Sequence, residues 1–431
     1  MPSSWRINTI ESCLRTHFTG EWGGTPGRVS ATARVLRSTN LDDQGHVDLQ
    51  GGALRVITNL KLNEKQLQTG DVLLESSGGG PGKPVGRVAL FRDDGNGPYL
   101  CSNFFRTLRP ANTTDPAYLA WRLLHMHRQP LIWHFQQQTT GIINLKYRDY
   151  LAHALGLPPL PEQRRIAQIL DTLDEAIRKT EQVIDKLQQM KQGLLHDLLT
   201  RGIDENGELR DPERHPEQFK DSPLGRIPRG WEAAPLGVLI AFITDYRGMT
   251  PPYTEEGIAV ISAENVGGGR IRSTTKWVSQ RTYRRTTTRG FPEAGDTIFT
   301  TEAPVAEVAR LPGDQTYRLT RRVIALRPKL SLRKGFLYWS MLRLSVTGAW
   351  DSKMHGSTVP RILKPDILAQ SLAVAPTGEQ DDITETLDTY DARLDGEQAG
   401  LRKLRTLKEG LMDDLLTGHV RVSNPEEVQH T

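Results

Sequence analysis

A heptad pattern of apolar residues occurs twice along the chain. The first copy has apolar residues in steps of four and three at Ile166, Leu170, Leu173, Ile177, Ile184, Leu187, Leu194 and Leu198. The second copy has them at Ile383, Leu387, Tyr390, Leu394, Leu401, Leu404, Leu411 and Leu415. Polar residues fill the same two gaps, Thr180 and Lys191 in the first copy and Glu397 and Lys408 in the second. This period is typical of a coiled coil, so the pattern predicts two long helices that pack through one seam.

The two helical segments belong to an internal repeat. Residues 149–202 align without a gap on residues 366–419, and 21 of 54 positions are identical. A weaker similarity opens each half, where Trp5 matches Trp231 and Pro26 matches Pro252. The sequences between hardly align. Two copies are too few for a solenoid, so the repeat predicts a duplicated, pseudo-twofold molecule.

The residues between the helical segments predict an α+β fold. Short β-rich runs are bounded by turn residues, as at 71–74, 258–261, 296–299 and 323–326. A helix is predicted in each half, over 118–136 with a kink at Pro130 and over 336–346. Residues 201–230 hold four prolines and four glycines without apolar periodicity, and they predict a loop. This arrangement matches no catalytic superfold.

Composition places the chain among soluble proteins of several domains. It has 431 residues, of which 37% are hydrophobic and 25% charged. The longest apolar stretch, 236–243, is far shorter than the ~20 residues of a membrane span. The first residues lack a secretory signal pattern, so we expect a cytoplasmic protein. Two cysteines, Cys13 and Cys101, cannot form a disulfide framework or a four-thiolate zinc site.

Charge is distributed unevenly along the chain. The formal net charge is +4, but residues 1–160 carry 17 basic against 12 acidic side chains and residues 231–378 carry 20 against 12. The second helical segment and the tail, 379–431, carry 6 against 13. Local excess of positive charge is the footprint expected of a protein that binds a polyanion. A random fluctuation of a few charges is the alternative interpretation.

A search for catalytic motifs finds none. The glycine-rich run 77–84 resembles a phosphate-binding loop, but Pro84 stands where the magnesium-binding Ser or Thr is needed. Thr250-Pro251-Pro252-Tyr253 resembles the tetrapeptide of amino-methyltransferases, but it begins with Thr in place of Asn or Asp. No helical pair of histidines and no nucleophile elbow is present. We therefore expect no catalytic residue and no metal site.

The clearest candidate binding segment is basic and contains no acid. Residues 265–292 combine aromatic and hydroxyl side chains with seven cations, Arg270, Arg272, Lys276, Arg281, Arg284, Arg285 and Arg289. Arginine and hydroxyl groups are common phosphate ligands, and arginine can also read guanine. A solvated charged face is the alternative interpretation.

Weaker candidates lie elsewhere in both halves. The first half offers basic residues at Arg28, Arg34, Arg37, Lys83 and Arg87. Small polar loops precede both repeat copies, with Thr139 and Thr140 in the first and His355, Ser357, Thr358 and Arg361 in the second. Such loops could approach a nucleic-acid groove, although structural turns explain them about as well.

Several motifs of the chain resemble those of the specificity (S) subunit of type I restriction-modification enzymes. The first is Leu157-Pro158-Pro159-Leu160-Pro161-Glu162-Gln163, which runs into the heptad helix and its end, Asp197-Leu198-Leu199-Thr200. The second is Asp221-Ser222-Pro223-Leu224-Gly225-Arg226-Ile227-Pro228-Arg229-Gly230-Trp231. The segments 261–265 and 295–304 are also similar to the family, and Thr301 in the latter joins the candidate DNA contacts. The chain departs from the pattern at Thr377-Gly378, which replaces the Leu-Pro before the second Glu-Gln.

The resemblance implies two target-recognition domains of mixed sheet and helix, separated by two long antiparallel coiled-coil helices. The segments in order are a first recognition domain (1–160), first spacer helix (161–200), linker (201–230), second recognition domain (231–378), second spacer helix (379–418) and tail (419–431). The spacer helices would act as a ruler. A helix over 162–200 is roughly 58 Å long and spans at most about 17 base pairs.

The function implied is non-catalytic recognition of a bipartite, asymmetric site in double-stranded DNA, in defence against foreign DNA. Methyltransferase (modification) subunits and ATP-dependent restriction subunits would dock on this chain. S-adenosylmethionine, ATP and magnesium would belong to those partners, with no cofactor in this subunit. Two alternatives remain: a recognition subunit of a methyltransferase-nuclease outside type I, and a coiled-coil adaptor that does not bind nucleic acid.

Overall fold

The structure is a computed structural model that describes residues 2, 4–27, 32–80, 82–139, 141–246 and 250–422. It consists of two compact units: the first unit comprises residues 1–181 and 399–431, and the second unit residues 182–398. Each unit therefore holds one globular half of the chain and part of each long helix. No helix among the described residues is both long enough and apolar enough to cross a membrane.

The helices follow one another at α1 (Asn59–Lys65), α2 (Pro116–Arg128), α3 (Tyr147–Ala152), α4 (Leu160–Leu198), α5 (Leu236–Leu239), α6 (Gln280–Thr286), α7 (Lys334–Val346), α8 (Lys364–Ala369) and α9 (Thr377–Thr417). The first twelve strands are β1 (Arg6–Thr9), β2 (Leu14–Thr19), β3 (Ala33–Leu36), β4 (Ala53–Arg55), β5 (Val72–Glu75), β6 (Ser77–Gly79), β7 (Val88–Leu90), β8 (Tyr99–Cys101), β9 (Phe105–Pro110), β10 (Gln136–Thr139), β11 (Ile142–Leu145) and β12 (Ala154–Leu157). The other strands are β13 (Phe219–Ser222), β14 (Gly225–Pro228), β15 (Glu232–Pro235), β16 (Ile240–Asp245), β17 (Ile258–Ile261), β18 (Val266–Gly267), β19 (Arg270–Ile271), β20 (Trp277–Val278), β21 (Thr297–Thr301), β22 (Val305–Arg310), β23 (Tyr317–Leu319), β24 (Val323–Pro328) and β25 (Ser371–Val374). The predicted α+β class is confirmed.

Both predicted long helices are present, and their burial follows the heptad seam. Helix α4 starts one residue before the expected segment and ends two residues before the end of that segment. Helix α9 starts two residues earlier than expected and ends one residue earlier. Most seam leucines and isoleucines are at most 9% exposed. In the first unit the start of α4 lies against the end of α9, because Ile166 and Leu170 share a core with Met412, Leu415 and Leu416. The helices are therefore antiparallel, as the resemblance implies.

The first unit contains a four-stranded sheet in the order β2-β9-β5-β7 and a three-stranded sheet in the order β4-β3-β8. In the smaller sheet β3 runs parallel to β8 and antiparallel to β4. A further sheet has the order β10-β11-β6, in which β11 lies between β10 and β6. Helix α2 covers the larger sheet and supplies Tyr118, Leu119, Leu123 and Leu124 to the main core.

The second unit repeats this topology although the sequences hardly align. Its sheets β16-β24-β21-β22 and β20-β17-β23 have the same order, and β17 again runs parallel to its neighbour β23. A buried ion pair recurs at the same place in both larger sheets. Arg109 donates to Asp71 and Arg327 to Asp296, with shortest N–O distances of 2.7 and 2.8 Å, and each aspartate is 1% exposed. The duplication predicted from the helices therefore extends through the globular halves.

Two local predictions are wrong. The helix predicted over 118–136 ends at Arg128, and a 3-10 turn over Pro130–Phe135 follows it. Proline has no amide hydrogen and disfavours a helical residue before it, so Pro130 ends the helix in place of kinking it. The 201–230 segment is not only loop, because β13 and β14 form a hairpin whose turn contains Leu224 and Gly225 with φ +88°.

Candidate nucleic-acid interface

Each globular half is attached to the helices by the repeated polar residues. Asp171 accepts a hydrogen bond from the indole of Trp121, and its counterpart Asp388 accepts one from Trp339, both at 2.8 Å. These contacts tie α2 to α4 in the first unit and α7 to α9 in the second. The repeated Gln163 and Gln380 likewise accept backbone amides at the starts of α2 and α7. The sequence repeat therefore preserves the attachment of each domain to its helices.

The lysines that fill the heptad gaps form cross-helix ion pairs. Lys408 contacts Asp174 within the first unit, and Lys191 contacts Asp391 within the second. Each lysine also lies over the tryptophan ring of the same attachment, at 4.6 Å from Trp121 and 5.1 Å from Trp339. Both lysines of the seam are thus paired, and Lys408 is buried while Lys191 is half-buried.

A basic cleft of about 480 Å³ opens on the second unit. It lies between residues 262–264, which follow β17, the end of α6 and the loop after β23. Six cations line it, namely Lys276, Arg285, Arg289, Arg318, Arg321 and Arg322. Among the described residues Glu264 is the one carboxylate of its lining, and it pairs with Lys276 at 2.6 Å. Threonines and two tyrosines, Tyr246 and Tyr253, complete the walls.

Helix α6 carries three exposed arginines, and one of them, Arg285, lines the cleft. Ser279 caps the helix by accepting the amide of Thr282, and Thr282 and Tyr283 are buried. The opposite face carries Arg281, Arg284 and Arg285, which are exposed and form no ion pair with any described residue. Unpaired arginines on one short helix repel one another, so their positive potential is available to an anionic ligand.

Arg318 lies at the floor of the cleft and is 4% exposed. Its guanidinium donates to the Thr286 hydroxyl at 3.2 Å and to the Leu319 carbonyl at 2.8 Å, and it lies 5.4 Å from the Tyr246 ring. Burial lowers its pKa from the usual value. No carboxylate in the described part of the chain forms an ion pair with it. A desolvated cation without a counter-ion is a feature expected of an anion-binding site.

An exposed loop borders the cleft. His355 and Arg361 exchange backbone hydrogen bonds at 2.8 and 2.9 Å, and the residues between them, including Ser357 and Thr358, are exposed. The base of this loop bridges to Glu302, which contacts Arg322 of the cleft at 3.5 Å. The side chain of Thr301 is directed inward instead and donates to the Arg322 carbonyl at 3.3 Å. The loop therefore extends the surface of the cleft.

Part of the chain matches a known protein family. The family described as the type I restriction modification DNA specificity domain matches residues 52–189. The type I restriction enzyme MjaVIII specificity subunit of Methanocaldococcus jannaschii is 25% identical over 67% of this chain and 67% of its own length. Residues 52–189 are therefore similar to a type I DNA specificity domain, and about two thirds of the chain is similar to type I specificity subunits. A second relative, the putative type I restriction enzyme MjaX specificity subunit of the same organism, is 24% identical over 78% of this chain and 76% of its own.

Solved structures of type I restriction-modification systems have the same fold along nearly the whole chain. The S subunit of the type I system from M. genitalium has a TM-score of 0.61 at 15% identity and covers 96% of both chains. A chain from a study of complex assembly and conformational transition of the type I system has a TM-score of 0.52 at 18% identity. It covers 97% of this chain and 99% of that one. At such identities the likeness concerns the fold alone.

Not every basic residue of the 265–292 segment faces the cleft. Lys276, Arg285 and Arg289 line it. Arg270 is directed to α9, where it pairs with Asp391 at 3.1 Å and with Asp395. Arg272 is exposed beside Gly267 and lies outside the cleft lining. The structure thus gives Arg270 a contact that holds the domain to the helix.

The first-half candidates are scattered. Arg34 donates to the carbonyls of Gln50 and Gly52, at 2.7 and 3.3 Å. The guanidinium of Arg87 is occupied by buried Glu75, at 2.7 Å, and by the carbonyls of Leu41 and Ser38.

Two turns of the first unit lie at one end of the β10-β11-β6 sheet. Lys83 is exposed in the turn that follows β6, and Thr139 pairs with Ile142 at the end of β10. Arg28 and Thr140 lie outside the described residues. The Lys83 turn and the Thr139 turn are therefore the first-half candidates that the structure brings together.

The sequence analysis missed the cations of the β23 loop. Arg318, Arg321 and Arg322 are separated from the 265–292 segment by about thirty residues, but parallel pairing of β23 with β17 brings them to it. The run from Arg318 to Arg322 has three arginines in five residues, which is a detectable signal. Among the described residues no group of three or more His, Cys, Asp or Glu side chains could hold a metal ion.

Proposed function

We propose that the chain is a type I specificity subunit that binds a bipartite, asymmetric site in double-stranded DNA, with each unit contacting one half of the site. The observation that carries the proposal is the basic cleft of the second unit, where six cations face one carboxylate in the described lining. Lys276 and Arg322 have carboxylate partners, and DNA phosphates would supply the counter-charge for the other four cations, which form no ion pair with a described residue. The duplicated topology supports one half-site per unit, and the different residues of the two units support asymmetry.

The chemistry of the cleft favours DNA over a small anion. Cations and threonine hydroxyls are spread along its walls, so several phosphates can be bound at once. The exposed 355–361 loop beside the cleft carries small polar residues that can enter a groove. Arg284 is exposed next to Arg285 on α6 and adds to the positive surface. Phosphate contacts would hold the duplex in register, and groove contacts would read bases.

We propose that the chain itself is not catalytic and holds no cofactor. Modification subunits would use S-adenosylmethionine, and restriction subunits would use ATP and magnesium. The long helices are the proposed docking surface for these partners. On α9 the aspartates 388, 391 and 395 are engaged by Arg310, Lys191 and Arg270 of the second unit. The acidic residues left exposed for a partner include Asp382 and Glu385.

Two alternatives predict different partners or ligands. A recognition subunit of a methyltransferase-nuclease outside type I would bind DNA in the same way but would not assemble with ATP-dependent restriction subunits. A coiled-coil adaptor would not bind DNA at all. The concentration of unpaired cations in the cleft favours DNA binding over the adaptor.

The test is to purify the chain with the modification subunit encoded beside it and to map adenine methylation across a genome. A split motif with a constant gap is the result expected. Intact co-purification without a methylated motif would contradict DNA recognition by this chain. Failure to bind either the modification subunit or DNA would favour the adaptor.

A further inference from the structure

The surface of the first unit that corresponds to the basic cleft has a different chemistry. The correspondence is established by topology: β3 and β8 of the first unit take the places of β17 and β23. Tyr99 and Tyr317 begin the equivalent strands, and their hydroxyls donate to Asp94 and Asp314, both at 2.8 Å. The following strands, β9 and β24, are both six residues long and end in proline. Residues 99–110 therefore correspond to 317–328 one by one.

Helices α1 and α6 correspond in the same way. Both have seven residues and a hydroxyl N-cap, Thr58 in the first unit and Ser279 in the second. Leu62 packs in a cluster with Val35 of β3, and Tyr283 packs in a cluster with Val260 of β17. The helices thus lie on the same side of equivalent strands, with the same face inward.

At the matched positions the cations of the second unit are replaced. The residues at the places of Arg281, Arg284, Arg285, Arg318, Arg321 and Arg322 are Leu60, Asn63, Glu64, Leu100, Asn103 and Phe104. Six positive charges become one negative charge. The lysines of α1, Lys61 and Lys65, are paired with Glu21 at 2.9 and 3.5 Å and so do not compensate.

Two of the replacing residues are large, apolar and solvent-exposed. Leu60 is 70% exposed and Phe104 is 41% exposed. Phe104 takes the place of Arg322, which lines the cleft, and Leu60 takes the place of Arg281 on the exposed face of α6. Exposed apolar side chains in a DNA-binding surface contact the C5-methyl group of thymine, which marks A·T pairs in the major groove. Asn63 and Asn103 beside them can bond base edges or the sugar-phosphate backbone.

We infer that the two units contribute differently to DNA binding. The second unit anchors the duplex through phosphates. The first unit contributes specificity through apolar contacts of Leu60 and Phe104 with thymine methyl groups. This inference rests on the proposed function. The second unit then supplies most of the salt-dependent affinity. The first unit supplies discrimination that depends little on salt.

The experiment uses the full chain in its complex with the modification subunit and a duplex carrying the methylated motif. Binding is measured by fluorescence anisotropy over a series of salt concentrations. Variants L60A and F104A are compared with R285A/R321A, and L330A serves as control because Leu330 is a 93% exposed leucine of the second unit. Thymines of the first half-site are replaced one at a time by uracil, which lacks the methyl group.

We expect L60A and F104A to weaken binding about tenfold without changing the slope of log K against log salt. R285A/R321A should reduce that slope by about 2. At least one thymine-to-uracil change in the first half-site should weaken DNA binding by the wild type. The same change should not weaken binding by L60A or F104A any further.

Wild-type affinity in both apolar variants would overturn the inference, and so would additive effects of every uracil change. A salt slope that falls as much in L60A or F104A as in R285A/R321A would also overturn it. A wild-type complex that binds random duplex as tightly as its motif would instead contradict the proposed function, and this inference with it.

Discussion

At the scale of single residues, the candidate site depends on which cations lack a carboxylate partner. Arg87 and Arg270 are conspicuous in the sequence, yet both are occupied by acids of their own unit. Arg285 and Arg318 have no such partner among the described residues. Charge in the sequence is therefore a poor guide to a binding surface until ion pairs are assigned.

Replacing Arg284 and Arg285 with Ala should weaken DNA binding and reduce the slope of log K against log salt by up to about 2, because each lost phosphate contact removes about 0.9 from the slope. Titrations at several salt concentrations measure it. The matched control is R214A/K220A, which also removes two exposed cations of the second unit but outside the cleft. An unchanged slope in R284A/R285A would show that those arginines are only a solvated surface.

Replacing Arg318 with Gln should have opposite effects on binding and stability. DNA affinity should fall about tenfold or more because the floor of the cleft loses its charge. The midpoint of urea unfolding should stay the same or rise, since a desolvated cation without a counter-ion is removed. Anisotropy and urea titration of the same samples measure both quantities. A destabilised variant with wild-type affinity would assign Arg318 a purely structural role.

At the scale of elements, the repeated polar residues explain how a heptad helix tolerates interruptions. Lys408 is 4% exposed in the seam, which would be unfavourable without Asp174. His46 from the loop after β3 donates to the same carboxylate at 2.7 Å and to Asp42 at 2.8 Å. The seam interruption is thus a three-residue polar contact between both helices and the globular half.

Replacing Lys408 with Ala should lower the free energy of unfolding by about 3 kcal/mol or more, because Asp174 is left buried with less compensation. The double variant K408M/D174L should be less destabilised than K408A, since it buries neither charge. Urea unfolding of the full chain provides the comparison. Equal losses in the single and double variants would mean that packing of the lysine stem, and not the ion pair, is what stabilises the seam.

The same contact predicts a pH dependence of stability. Hydrogen bonds to Asp174 and Asp42 raise the pKa of His46 to about 9. Burial alone would raise the pKa of Asp174, but the bonds from His46 and Lys408 lower it to about 2. The histidine contribution is complete below its unfolded pKa of about 6.5 and is lost as pH rises through 9. The aspartate contribution is complete above about 3.9 and is lost as pH falls towards 2.

Urea midpoints of the wild type and H46Q should therefore differ most between about pH 4 and pH 6.5, with the wild type more stable. The difference should shrink as pH rises to 9. Arg178 also approaches Asp174, at 3.8 Å, and is present in both proteins. A difference that does not depend on pH would show that His46 acts through packing alone.

At the scale of the whole molecule, each long helix is continuous through both units, since α4 crosses residue 181 and α9 crosses residue 398. This continuity is what the ruler hypothesis requires. Adding one heptad at both places preserves the seam register and lengthens each helix by about 10.5 Å.

The gap between methylated half-sites should then increase by about three base pairs, while the bases read in each half stay the same. Methylation mapping of the variant complex tests both statements. The control adds a heptad composed of the same residues to the tail after residue 422, where neither helix is lengthened. An unchanged gap in the double insertion would exclude the helices as the ruler.

How much of this could be predicted depends on whether a property is local along the chain. The helices, their seam and the duplication followed from residues three, four or 217 positions apart. The strands at 258–261 and 323–326 followed from short β-rich runs. Pro130 was misjudged as a kink because the alternative, a 3-10 turn that leads into β10, depends on strand pairing with β11.

The sequence by itself determined the two-copy architecture, because periodicity and repetition are properties of the chain order. Only the tertiary structure decided which cations form the binding surface. Parallel pairing of β17 with β23 brings Arg318, Arg321 and Arg322 to Lys276 and Arg285, and α9 withdraws Arg270. The shared topology of the two units aligns Phe104 with Arg322, and the matching helices α1 and α6 align Leu60 with Arg281. Electrostatic interaction depends on the distance between charges in space, and the order of residues does not give those distances.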